Sequence, residues 1–363
     1  MKKILILTNT DIELYNFRRE IIQALTKRYQ VYACYPPLGD NTRKLQALGV
    51  TCIDCPYLVR RGINPWQDIR LYRFYRRLFR QIQPDKVLTY TIKPAIYGGR
   101  AAYQAHIPFI VNITGLGSAL QRKGWLQQVV VHLYRLSLPH AQKVFFQNTA
   151  NRDFMRAHHL VTDNYDVLPG SGVNLARYPY CPFPSGNKVR FIFVARIMRT
   201  KGIDQFLEAA RFITARYPTT EFHVYGWCED SAYEELLAKL TEQGIIKYHG
   251  QVDDMATAYR DSTCLIHPSF YPEGMSNVLL EASATGRPVI TTDLPGRREA
   301  VIAGQSGYLV KPHDIADLIA KIEQFLHLSH SARALMGKAA YRHVTTHFDR
   351  RTVVAKYLAE VKR

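Results

Sequence analysis

Short apolar runs alternate with stretches of helical spacing along nearly the whole chain, and this alternation limits its fold more than any other feature. Residues 2–8, KKILILT, suit a buried parallel strand, and residues 15–29 follow with Phe17, Ile21, Ile22 and Leu25 at helical spacing. Runs at 31–35, 86–89 and 109–113 alternate with helical stretches at 41–48, 68–81 and 97–105. A helical crossover returns the chain to the end of the sheet from which the next strand starts. The pattern therefore predicts parallel, doubly wound α/β sheets.

A second series of the same kind opens with VRFIFVARI at Val189 and continues through 222–227, 245–252 and 265–268 into TTDLPGRREAV and SGYLV. At 363 residues the chain is long enough for two cores. The first domain is expected over 1–173, ending near LPGSGVN, and the proline-rich stretch at 174–187 reads as a linker. The second domain is expected over 188–345, with a final helix at 346–363 that can pack back on the first. No G-x-G-x-x-G follows the first strand, which argues against a nicotinamide or flavin site, and no cofactor is expected.

Charge is unevenly placed. Residues 1–173 hold 24 Lys and Arg against 10 Asp and Glu, and the remainder 24 against 20, out of a net +18. A basic first half points to an anionic partner, nucleic acid or an acidic membrane surface. No compact nucleic-acid signature accompanies the charge, so nucleic acid is not expected as a partner. No apolar run reaches the roughly 18 to 20 residues of a spanning helix, and the apolar start is too short for a signal peptide. The expectation is a cytoplasmic chain, peripheral on the inner face of the membrane. Cys52 and Cys55 form one C-x-x-C with no second pair at zinc spacing, and no metal site is expected.

The richest stretch is HPSFYPEGMSNVLLEASATGRPVI at 267–290. Glu273 precedes Gly274, a residue that lets backbone approach a ligand closely, and residues 275–285 read as a helix that Ser276 or Asn277 can cap. N–H groups from Gly274 to Asn277, Met275 and Ser276 included, can bind phosphate oxygens, while Glu273 and Glu281 reach hydroxyls. On spacing alone, a solvated Glu281 and a capping Glu273 explain the pair equally well. His267 reads as a packed or hydrogen-bonded residue.

With Pro268, Ser269, Asn277, Leu280, Ala282, Gly286, Pro288 and Val289, this stretch resembles the nucleotide-binding signature of the retaining glycosyltransferases of family 4. Those enzymes have the GT-B architecture, two Rossmann-like domains facing across a cleft. The resemblance implies that Glu273 contacts the donor sugar and Glu281 the ribose. It also implies that Arg196 and Lys201, in ARIMRTKG, hold the donor diphosphate, and that the nucleotide base lies near residues 248–253. Gly226, Tyr248 and Val252 join the donor set on that basis. Two cations near a diphosphate can take the place of a metal ion.

Residues 89–102 and 112–119 follow predicted strands, where open α/β sheets bind ligands. With RRGINP at 60–65 they resemble a branch of the family that builds bacterial capsules, O-antigens and glycoprotein glycans, including transferases of N-acetylgalactosamine to undecaprenyl-diphosphate sugars. The acceptor-side set is Asn16, Thr91, Lys93, Asn112, Thr114, Gly115 and Gly117. Many family members carry a histidine where this chain has Thr114, so no role passes from that histidine. A basic helix with Arg73, Arg76, Arg77 and Arg80, and a loop with Lys123 and Trp125, are the membrane candidates.

The implied activity is metal-independent, retaining transfer of a hexose or N-acetylhexosamine from a nucleotide sugar, UDP-linked, to a lipid-linked saccharide. The implied mechanism is front-face displacement without a protein base. A non-hydrolysing nucleotide-sugar epimerase and a noncatalytic membrane-associated scaffold are the alternatives.

Overall fold

The computed structural model describes the chain except residues 60, 61, 63, 118, 119 and 121–123. Contacts divide it into two compact units. The first comprises Met1–Ser171, Pro272–Met275 and Arg351–Arg363, and the second Gly172–Tyr271 and Ser276–Arg350.

The first unit holds β1 (Lys3–Leu7), β2 (Gln30–Tyr35), β3 (Val50–Asp54), β4 (Lys86–Tyr90), β5 (Phe109–Ile113), β6 (Lys143–Phe146) and β7 (Tyr165–Val167). They pair in parallel in the order β3-β2-β1-β4-β5-β6-β7. The apolar runs of β1, β4 and β5 are buried on both sides, as central parallel strands require. β3 and β7 lie at the edges and are more exposed and polar, which is why hydropathy alone did not mark them.

Helix Asp11–Thr26 starts where the Thr10 hydroxyl accepts from Ile12 N–H, 3.2 Å. It buries Leu14, Ile21, Ile22 and Leu25 with Ile4, Ile6 and Leu88 on one sheet face, where Val353, Tyr357 and Val361 of the final helix also pack. On the other face, helix Pro65–Ile82 is capped by Asn64 and has proline in its first turn. Its Leu71, Tyr75, Leu78 and Phe79 pack with Leu5, Leu7 and Val87. Beside it the chain forms one π-turn at Pro94–Gly98 before helix Gly99–Gln104, so the helical segment begins earlier than residue 97.

The second unit holds β8 (Val189–Val194), β9 (Thr220–Tyr225), β10 (Lys247–Tyr248), β11 (Cys264–His267), β12 (Val289–Thr292) and β13 (Gly307–Val310). Their parallel order is β10-β9-β8-β11-β12-β13. In both sheets the order reverses beside the first strand, so the helices that follow neighbouring strands cover opposite faces. Such a switch point opens a crevice at the carboxyl ends of the strands.

Candidate functional site

In the second unit, β8 leads to Arg196, and a short turn, Arg199–Lys201, places Lys201 in the interior. Arg196 forms an ion pair with Glu229. Tyr271 brings the two cations together. The Lys201 Nζ lies 4.9 Å from its ring centroid and the Arg196 guanidinium 5.6 Å. Burial, reinforced by Arg196 and Arg297, holds the Lys201 pKa well below the usual lysine range, against the opposing pull of Glu229.

Arg297 is the residue that sequence reasoning missed. It is buried, donates to Ser269 Oγ at 3.1 Å and to the Tyr271 carbonyl, and its Nε has no partner. Burial lowers its pKa to about 10. The signal was present in PGRREA after β12, but nothing local distinguishes an inward arginine from the solvated Arg298 beside it.

His267 ends β11, fully buried. Burial, then Lys201 and Arg297, push its pKa well down, so the ring is neutral. Its Nε2 meets the Ser276 hydroxyl at 3.2 Å. That contact corrects the expected cap, because Ser276 occupies the N-cap position but makes no side-chain bond to the helix. The helix runs over Asn277–Ala284, two residues shorter at its start than expected, since Ser276 is extended. Ser276 N–H donates to Gly296 O at 2.9 Å, so this donor of the turn is already taken.

Glu281 is half-buried rather than free in solvent. Its carboxylate accepts from the Tyr259 hydroxyl at 3.1 Å, and burial raises its pKa while Tyr259, Arg350 and Arg177 oppose the rise. Tyr178 also faces it. At the end of β9, Gly226 has φ of +139° and a Cβ there would strike the Ala195 carbonyl. Its N–H donates to Gly250 O at 2.8 Å and its carbonyl accepts from Tyr248 O–H at 2.9 Å. Val252 is half-buried in the loop that follows.

Glu273, Gly274 and Met275 belong by contact to the first unit. Here the expectation for Gly274 is corrected. A side chain is excluded by Thr114 O and by Gln147, and the Gly274 N–H donates to Thr114 O at 2.8 Å, so the close approach is to protein. Asn148 Nδ2 holds the Gly274 carbonyl at 2.6 Å. Met275 is buried beside Gly170.

Of the acceptor-side set, Thr114 and Gly115 therefore lie against residues 272–274, and Gly117 sits against Ile92. Thr91, just after β4, has φ of +68° and a buried hydroxyl without a partner. Asn112 is buried at the end of β5, with Nδ2 on the Tyr357 hydroxyl and Oδ1 unpartnered. Lys93 pairs with Asp68 at 2.8 Å. Asn16 is exposed on helix Asp11–Thr26.

Arg73, Arg76, Arg77 and Arg80 are exposed, but the apolar face of their helix lies in the core. This corrects the picture of a free amphipathic helix, since only the arginine face and the first turn remain available. Trp66 in that turn is 76% exposed and Trp125, which begins helix Trp125–Arg135, is 69% exposed. Lys123 and residues 60, 61 and 63 of RRGINP lie outside the described residues. Among the described residues no helix is long and apolar enough to cross a membrane.

Residues 16–170 match the family model of the glycosyl transferase 4-like domain, and residues 183–343 that of glycosyl transferases group 1. The chain is 26% identical over 369 residues to the N,N'-diacetylbacillosaminyl-diphospho-undecaprenol alpha-1,3-N-acetylgalactosaminyltransferase of Campylobacter jejuni, covering 97% of this chain and 96% of that one. Its fold resembles Anabaena HepE in complex with UDP and glucose, with TM-score 0.79, 18% identity and 99% of both chains covered. It also resembles a sucrose-phosphate synthase of Thermosynechococcus elongatus, with TM-score 0.79, 16% identity and 100% and 98% covered. Two successive glycosyl transferase domains in the sequence, each on its own parallel sheet, make this chain a GT-B glycosyltransferase of the family-4 type.

Proposed function

We propose that this glycosyltransferase moves a hexose or N-acetylhexosamine from a UDP-sugar to a saccharide carried on undecaprenyl diphosphate, with retention at the anomeric carbon. The observation that carries the reading is the convergence of Lys201, Arg196 and Arg297 around Tyr271, two of them buried with lowered pKa values. Arg196 pairs with Glu229 and Glu299 acts on Arg297, so three cations stand against two carboxylates, and a nucleotide diphosphate adds counter-charge. Cations already fixed in a site shielded from water stabilise the charge that grows on a leaving diphosphate. That supports transfer without a metal ion. Glu273 positions the sugar, and the half-buried Glu281 carboxylate accepts from the ribose.

Acceptor attack from the face that the diphosphate leaves, with a phosphate oxygen taking the proton, needs no protein base. His267 is neutral, buried and bonded to Ser276, so it fits a structural role. The match over nearly the whole length to a transferase named for a diphospho-undecaprenol acceptor supports the acceptor class. The exposed arginines of helix Pro65–Ile82 support recruitment to the inner face of the cytoplasmic membrane, at about 1 kcal/mol per basic residue near anionic lipid.

The test is incubation of a panel of UDP- and GDP-sugars with a lipid-linked acceptor in EDTA, with the product anomer read by NMR. The expected product keeps the donor's anomeric configuration. An isomerised nucleotide sugar formed without acceptor, or activity that requires added magnesium or manganese, would overturn the corresponding part. Vesicle sedimentation of a variant with Arg73, Arg76, Arg77 and Arg80 changed to Gln tests recruitment. Binding equal to wild type on anionic lipid removes it.

A further inference from the structure

Arg18 lies outside the site described so far. It sits in the second turn of helix Asp11–Thr26 and is only 4% exposed. Its Nη1 donates to the Phe17 carbonyl at 3.1 Å and to the Ser171 hydroxyl at 2.6 Å. The guanidinium carbon stands 4.9 Å from the ring centroid of Tyr90. All these partners are neutral, and among the described residues no carboxylate pairs with Arg18. A cation largely withdrawn from water without a counter-charge is unfavourable, so such an arrangement calls for an anion. Nε and Nη2 make no hydrogen bond, yet they are not among the fully enclosed unpartnered atoms, so this edge of the guanidinium reaches solvent.

The surroundings supply a second, independent observation. Tyr90 ends β4, which neighbours β1 at the switch point of the first sheet. Leu7 pairs with Thr89 and Tyr90 with Asn112, so Thr8, Tyr90 and Asn112 form a row across the carboxyl ends of three adjacent strands. Thr8 Oγ1 and Asn112 Oδ1 in this row are buried and have no partner. Buried polar side chains are normally satisfied, and exceptions at a switch point indicate ligand chemistry.

We propose that Arg18 is the counter-cation of a phosphate-type anion bound at the carboxyl edge of the first sheet, distinct from the diphosphate site around Lys201. The owner of the phosphate is the lipid-linked acceptor or the nucleotide. Only that choice of owner rests on the transferase reading.

The probe is inorganic pyrophosphate in thermal unfolding of the full chain, with Lys201→Met as background so that the second-unit cations are weakened. Pyrophosphate is expected to raise the melting temperature of Lys201→Met, to lose at least half of that rise in Lys201→Met/Arg18→Gln, and to regain it in Lys201→Met/Arg18→Lys. Without pyrophosphate, Arg18→Gln is expected to melt at or above wild type, because the change removes a buried charge. Equal protection with and without Arg18 would overturn the proposal, as would a melting temperature for Arg18→Gln many degrees below wild type together with no rescue by Arg18→Lys. If the Gln variant fails to fold, Arg18→Lys and the Lys201→Met background carry the test by their protection alone. For ownership, a tenfold or greater rise in acceptor KM at unchanged UDP affinity in Arg18→Gln assigns the phosphate to the acceptor, and the reverse pattern assigns it to the nucleotide. Absence of any transfer would count against the transferase reading and leave the pyrophosphate result standing.

Discussion

The two sheets share a topology around their central strands but differ in the chemistry at their carboxyl edges. The second presents Arg196, Lys201 and Arg297 gathered on Tyr271, with the half-buried carboxylate of Glu281 on helix Asn277–Ala284. The first presents hydroxyls and amides, Thr8, Thr91 and Asn112, with Arg18 as its buried cation over Tyr90. A parallel sheet offers the same crevice in both units, and the side chains that follow each strand decide what it can hold. An edge with several fixed cations suits a diphosphate. An edge of unpartnered neutral groups suits hydroxyls, and one isolated cation adds a single anionic contact.

The largest effect that sharpens this contrast is at Lys201. Lys201→Met is expected to lower kcat/KM for the donor by roughly 100- to 1000-fold, the usual loss for a group aimed at developing charge. KM for the acceptor should stay within a few-fold. An equal shift in both constants would break the division of labour between the edges.

Next is Glu281. Glu281→Ala is expected to weaken UDP binding about tenfold, or about 1.4 kcal/mol, by isothermal titration. Burial raises the pKa of this carboxyl, so the folded chain holds the proton more tightly than the unfolded chain does. Its contribution to stability is therefore greatest below the ordinary glutamate range and falls as pH rises through the unfolded and then the folded pKa. Glu281→Gln should flatten that slope in melting temperature against pH. An unchanged slope would assign the carboxylate to solvent.

The smallest effect is at Thr91. A β-branched residue at φ of +68° is strained, and asparagine tolerates this region better. Thr91→Asn is expected to stabilise the fold by about 1 kcal/mol in denaturant melts, within the range for relieved backbone strain, and to raise acceptor KM. A stabilised variant with unchanged acceptor KM would remove Thr91 from the acceptor edge.

Much of the fold was legible before any coordinates. Most of the strands that periodicity marked, from residues 2–8 to SGYLV, are buried apolar runs, although the marked stretch 245–252 holds only the partly exposed edge strand Lys247–Tyr248, and the short buried strand Lys143–Phe146 inside the first sheet went unmarked. Val50–Asp54 and Tyr165–Val167 escaped because edge strands keep polar side chains. Arg196, Lys201, Glu273 and Glu281 are candidates on motif and resemblance alone. The reason for Gly274 could not be read from the sequence, because its neighbours Thr114 and Gln147 are more than a hundred residues away in sequence. Arg297 and Arg298 stand side by side in the chain, yet one is buried against Tyr271 and the other is partly exposed, pairing with Asp293.

The sequence by itself determined the two α/β sheets, the basic first half and the residue types available at each strand end, because hydrophobic periodicity and turn chemistry are local. Tertiary structure alone decided which charges lose their water. Lys201, Arg297 and Glu281 acquire their altered energetics from desolvation by residues distant in sequence, and desolvation depends on enclosure in three dimensions.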